Sequence, residues 1–133
     1  MNKIPDYIRT VVLDCDGEVT KSRWIGTFRI KAILSHADTF AIERMYSKML
    51  PAGTTPTEEM KVRAAVIAEL STRIVEGPDW WNSTRHGQLM VDSEPLYKLA
   101  VKCKEENDKW NAELNSASQA LGATNNVVDS ELP

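Results

Sequence analysis

The spacing of apolar positions changes twice along this chain, and the changes outline its elements. After an arm ending near Pro5, the stretch from Tyr7 to Leu13 places Ile8, Val11, Val12 and Leu13 close together, a short strand rich in β-branched residues. Asp14-Cys15-Asp16-Gly17 follows and reads as a tight turn, since Asp-Gly readily supplies positive φ. From Thr27 to Ala32 the pattern alternates strictly. Phe28, Ile30 and Ala32 share one face while Thr27, Arg29 and Lys31 share the other, so one face is buried and one is wet. Residues 8–33 therefore predict a meander of two or three antiparallel strands.

Beyond residue 34 the period becomes helical. Ser35-His36-Ala37-Asp38 resembles a capping box, and Phe40, Ala41, Met45, Met49 and Leu50 continue at steps of three and four, predicting a helix over about 35–50. Thr55-Pro56-Thr57-Glu58 predicts a second start, with Thr55 as cap and Pro56 in the first turn. That helix is expected to bury Met60, Ala64, Ile67, Ser71 and Ile74, with Val66 and Leu70 beside them, and to end at Gly77-Pro78, about residues 56–76. Residues 79–91 read as an irregular connection. A third helix is expected over about 93–121, stopped by Gly122, at about 43 Å the longest of the three. Residues 122–133 are read as a polar tail. The fold class is α+β: one domain over 1–121, a small N-terminal antiparallel meander packed by three helices.

The last helix carries the most suggestive periodicity. Leu96, Ala100, Cys103, Asn107, Trp110, Leu114, Ala117 and Leu121 recur at alternating steps of four and three, a narrow seam with Asn107 as its polar interruption. Two readings are open. The half holding Asn107, Trp110, Leu114 and Leu121 overhangs the domain and meets a partner chain, or it folds back onto the sheet or the second helix. Trp80-Trp81 poses the same question. Either one ring fills the core and the other faces a partner, or both pack beneath the loop.

The chain has 133 residues, 42% apolar and 26% charged, ordinary values for one globular domain with a single core. Its net charge of −3 provides no basic footprint for nucleic acid or anionic lipid. No apolar run approaches the ~18 residues of a membrane span, and the opening residues lack the apolar core of a secretion signal. A cytoplasmic setting is thus expected, with Cys15 and Cys103 as reduced thiols. No cofactor and no metal are expected.

Candidate chemistry is sparse. Val11-Val12-Leu13-Asp14-Cys15-Asp16-Gly17 resembles the first motif of haloacid-dehalogenase phosphatases. That resemblance implies Asp14 as nucleophile and Asp16 as general acid beside a magnesium ion. It covers about ten residues, Glu18 stands where that family favours threonine, and no second acidic strand end follows. A hairpin between two strands is the stronger reading, and a calcium loop is weaker still, since the acids do not continue at the needed positions. His36 and His86 have no sequence partner for a triad or a metal. No catalytic residue is therefore assigned, and the chain reads as a non-enzyme.

The order of features has a second resemblance. Gly26-Thr27-Phe28-Arg29-Ile30-Lys31, then Ser35 and Asp38 at a helix start, then Arg73-Ile74-Val75-Glu76-Gly77-Pro78-Asp79-Trp80-Trp81 before a final charged helix, resembles small tailed-bacteriophage morphogenesis proteins of the tail-assembly-chaperone type. It spans about residues 18–113, with Gly77 where alanine would be expected. What it implies is protein binding in phage assembly, in the host cytoplasm, through other phage structural or assembly proteins or self-association. A virion structural component, a head or tail accessory protein, is the alternative, and a metal-dependent phosphatase a distant third.

Overall fold

The computed structural model describes residues 5–53 and 55–130, with side chains to residue 119. Two long strands, β1 (Ile8–Asp16) and β2 (Arg23–Lys31), form an antiparallel hairpin whose register holds without a break from Ile8↔Lys31 to Asp16↔Arg23. Helices α1 (His36–Met49) and α2 (Glu58–Arg73) follow, then a short strand β3 (Ile74–Glu76), a one-turn helix α3 (Asp79–Ser83) and the long α4 (Glu94–Ser130). The sheet order is β1-β2-β3, all antiparallel. The α+β architecture with an N-terminal sheet and a long last helix is as the pattern predicts.

The alternation that marks β2 is realised. Phe28 and Ile30 are fully buried, and with Val11 and Leu13 of β1 they form the inner face, against Leu70, Ile74, Trp81, Leu96, Leu99 and Cys103. Burial of each large side chain contributes about 1.5–3 kcal/mol. α2, α3 and α4 supply the helical residues against this inner face, and Thr10, Val12, Asp14, Ile25, Thr27 and Arg29 on the other face remain exposed. α4 runs antiparallel to β1. Its Lys98 Nζ donates to Asp14 O at 3.1 Å, and its Trp110 Nε1 donates to Pro5 O at 3.0 Å.

Several boundaries differ from expectation. Asp14-Cys15-Asp16 is strand, not turn, because the ladder continues to Asp16↔Arg23 and the reversal falls on residues 17–22. The positive φ there belongs to Lys21, at 62°, rather than to Gly17. The third strand comes from Ile74–Glu76, where the second helix was expected to continue. Ile74 and Val75 are β-branched, and Ile74 pairs with Ile30 across a bulge. Residues 79–83 are helical rather than irregular.

Ser35 and Asp38 form the full capping box expected of them. α2, however, is capped by Thr57, whose hydroxyl accepts from Met60 N at 3.1 Å, rather than by Thr55. Met60 itself is 47% exposed, and the buried face of α2 is Ala64, Ala68, Leu70 and Arg73. α4 continues through Gly122 to Ser130, so most of the expected tail is helix.

Candidate functional site

The most connected polar centre joins the β1–β2 turn to the start of α4. Gly17 N donates to Ser22 O at 2.8 Å and Lys21 N donates to Gly17 O at 3.1 Å, folding residues 17–22 into a compact loop. Its amides converge on one carboxylate. Asp92 Oδ1 accepts from Val19 N at 2.8 Å and from Thr20 N at 3.1 Å, and Asp92 Oδ2 accepts from Trp24 Nε1 at 2.9 Å and from the Thr20 hydroxyl. Glu94 adds a bond from Glu18 N at 3.0 Å. Asp92 is fully buried. The Thr20 hydroxyl, ahead of the Trp24 indole and the turn amides, holds its carboxyl down at about 2 against the opposing cost of desolvation. Gly17 is required by space: a Cβ there would lie 2.1 Å from Asp92 Oδ2. The loop is an anion-binding nest whose anion is supplied by the same chain.

Beside it the aromatic rings assemble. Trp24 meets Trp80 edge-on at 4.9 Å, Phe28 meets Trp80 at 5.6 Å and Trp81 at 6.1 Å, and Trp81 stacks on His86 at 5.1 Å. Of the adjacent tryptophans, Trp81 is in the core, while Trp80 is half-buried against Trp24 and Phe28 with its Nε1 donating to Ile25 O at 2.9 Å. Gly26 and Gly77 permit this closeness. A Cβ on Gly26 would stand 2.5 Å from Pro78 Cγ, and one on Gly77 would stand 3.0 Å from both Phe28 and Trp81. The two sequence blocks that carry the phage-protein resemblance thus pack on each other.

The seam of α4 lies against its own domain over most of its described length. Trp110 is 7% exposed, with its Nε1 donating to Pro5 O, the packing expected where the seam folds back onto its own chain. Asn107 is half-buried with its Oδ1 3.5 Å from Arg73 Nη2, an intrachain polar contact rather than a register device between helices. Leu114 is half-buried, next to Glu113, which is ion-paired with Arg9 at 2.5 Å. The Leu121 side chain lies outside the described residues.

Sequence reasoning missed Asp92 and Arg73. Asp92 had the composition of a helix start, and nothing local links it to a turn seventy residues earlier. Arg73, buried, donates to Lys31 O at 2.8 Å, to Ala32 O at 2.9 Å and to Glu69 at 2.9 Å, closing the end of β2 onto α2. Its place on the apolar stripe of α2 is the signal that could have found it.

Asp14 and Asp16 do not form a paired-acid centre. Asp14 is exposed and forked onto Arg23 (2.9 and 2.7 Å), which lowers its carboxyl below the usual range, and the antiparallel sheet lacks the parallel strand end the phosphatase motif needs. Among the described residues, no group of three His, Cys, Asp or Glu side chains is placed to hold a metal. Both cysteines are free thiols, and burial pushes Cys103 up to about 12. No described helix is long and apolar enough to cross a membrane. Comparison with protein families, curated proteins and solved structures found no match to this chain.

Proposed function

We propose that this protein is a non-enzymatic protein-binding module of tailed-phage assembly, of the tail-assembly-chaperone type, acting in the host cytoplasm on other phage structural or assembly proteins. The observation that carries the reading is α1. This helix holds Phe40, Ile42, Met45, Tyr46 and Met49, yet none of its residues is fully buried: Phe40 is 61% exposed and the others are half-buried. It packs on α2 and makes no comparable contact with the sheet or α4. Met60 and Val62 of α2 are also about half exposed. Phe40, Met60 and Val62 thus leave apolar side chains exposed on two helices that pack together, and exposed apolar surface of that kind is what a protein partner would cover.

The test is co-expression of the tagged chain with each structural and assembly protein of its phage. Recovery of a specific partner is expected, and Phe40→Ser should abolish it while melting moves by no more than about 0.5 kcal/mol equivalent, as for an exposed site. No recovered partner, or one indifferent to Phe40→Ser and Met49→Ser, refutes the assignment to α1. Mass spectrometry of purified particles separates the two phage roles: presence in the virion favours the structural alternative, absence the chaperone.

A further inference from the structure

We propose that the free edge of β1 is a self-association site at which a second copy of this chain adds its own β1, antiparallel, about a two-fold axis at Val12. The inference stands on the sheet geometry and does not depend on the phage-assembly reading.

β1 is the outer strand of the sheet order β1-β2-β3. Gly17 N donates to Ser22 O, and Ala32 N donates to Tyr7 O; both pairs continue the β1–β2 register outward. Hydrogen-bonded pairs alternate in an antiparallel ladder, so the odd-numbered residues of β1 bond to β2. The N–H and C=O groups of Ile8, Thr10, Val12, Asp14 and Asp16 point the other way. Three of these are covered within the chain: Ile8 N donates to Asp6 Oδ1 at 3.1 Å, Asp14 O accepts from Lys98 Nζ, and Asp16 O accepts from Cys15 Sγ at 3.5 Å. Between them Thr10 and Val12, with the Asp14 N–H, have no partner among the described residues. A carbonyl oxygen has two lone pairs, so Asp14 O retains one.

This open stretch is symmetric about Val12. Antiparallel addition of a second copy pairs Val12 with Val12, Thr10 with the second copy's Asp14, and Asp14 with the second copy's Thr10. Each pair exchanges two N–H···O=C bonds, so every open group finds its counterpart. Across Ile8–Asp16 this register sets no like charges opposite one another, and places each Asp14 carboxylate beside a threonine hydroxyl.

Apart from the charges of Arg9, Asp14 and Asp16, of which Arg9 and Asp14 are ion-paired within the chain, the strand has few of the features that blunt an edge. It is nine residues long, holds one register without a bulge, contains no proline, and presents the β-branched Thr10 and Val12, the latter 56% exposed. α4 packs chiefly against β1, and its one hydrogen bond to the edge backbone is that of Lys98 Nζ to Asp14 O.

The experiment is sedimentation velocity over a concentration series, with amide exchange by NMR on the same samples. The parent should show a monomer–dimer equilibrium, and the Thr10 and Val12 amides should become protected as dimer accumulates. Val12→Pro removes an N–H that β2 does not use, so it should leave the hairpin intact while weakening association by about tenfold or more. Val12→Lys sets two cations face to face and should do the same, and it decides the matter if the proline variant does not fold. A parent monomeric at every concentration overturns the proposal. So does a dimer that survives in both variants, or one in which the Thr10 and Val12 amides still exchange freely. A monomeric parent that captures another protein's extended segment, with the capture lost in Val12→Lys, overturns the second copy as occupant.

Discussion

Trp110→Ala separates an internal role for the α4 seam from an interchain one. The indole is 7% exposed and its Nε1 bonds to Pro5 O, so the truncation removes a buried ring and frees a carbonyl on the N-terminal arm. Core Trp→Ala changes cost about 3–5 kcal/mol through lost burial and the cavity left behind. Trp110 stands apart from the main cluster around Phe28 and Leu99, so the lower end is expected, about 3 kcal/mol. Unfolding entropy for 133 residues near 0.28 kcal/mol/K converts that to a fall in Tm of roughly 10 °C. Differential scanning calorimetry on dilute protein reads it directly. Trp110→Phe keeps most of the ring and loses only the bond to Pro5 O, so it should cost about 0.5–1.5 kcal/mol. If Trp110→Ala melts like the parent while self-association or partner capture weakens, the ring belongs to an interface and the intrachain account of α4 fails.

Two further changes test the Asp92 latch. Asp92 is held at about 2 in the fold against an ordinary value near 3.8, so its stabilisation is complete above pH 4 and is lost as pH falls through about 2. Denaturant midpoints measured between pH 5 and 2 should fall steeply for the parent, and Asp92→Asn should be less stable at pH 5 with a shallower acid limb; equal slopes would exclude Asp92 as a contributor. Gly17→Ala drives a Cβ into the Asp92 carboxylate, so it should destabilise the parent clearly but the Asp92→Ala background far less, a coupling read from a double-mutant cycle.

What was legible in the sequence followed from local rules. The alternation of Phe28, Ile30 and Ala32 located β2 and its buried face, and the Ser35–Asp38 capping box located α1. What was not legible came from contacts distant in sequence. Asp14-Cys15-Asp16 has turn composition but is drawn into the ladder by pairing with Ile25, Trp24 and Arg23. Ile74–Glu76 extends the stripe of α2 until Ile30 offers it a strand partner. At the site the same limit applies. Trp80 and Trp81 were conspicuous, but their division between half-buried and buried is set by Ile25 O and Phe28. The seam of α4 was legible from its periodicity, but that Trp110 bonds to Pro5 was not, because that residue precedes the first strand. The apolar stripe of α1 looked like a core face; only the fold shows that α2 alone lies against it.

The β1 edge and the apolar residues of α1 lie on different elements, and their separation has a consequence for binding. α1 reaches the body through α2, and α2 meets the sheet at β3, the edge away from β1. Pairing through β1 therefore leaves the α1 face uncovered in each copy. A two-fold dimer would carry two α1 faces on a continuous six-stranded sheet. Such a particle is bivalent, and on a partner with repeated or linked sites the second engagement becomes intramolecular, raising avidity without any new contact. Loss of β1 pairing would then lower apparent affinity for a multivalent partner while leaving affinity for a single site unchanged. Loss of Phe40 would lower both. Comparing Val12→Lys and Phe40→Ser against monovalent and multivalent forms of one captured partner reads the two surfaces separately. Equal losses for both variants on the monovalent form would mean that β1 and α1 act as one surface, contrary to their placement on different elements.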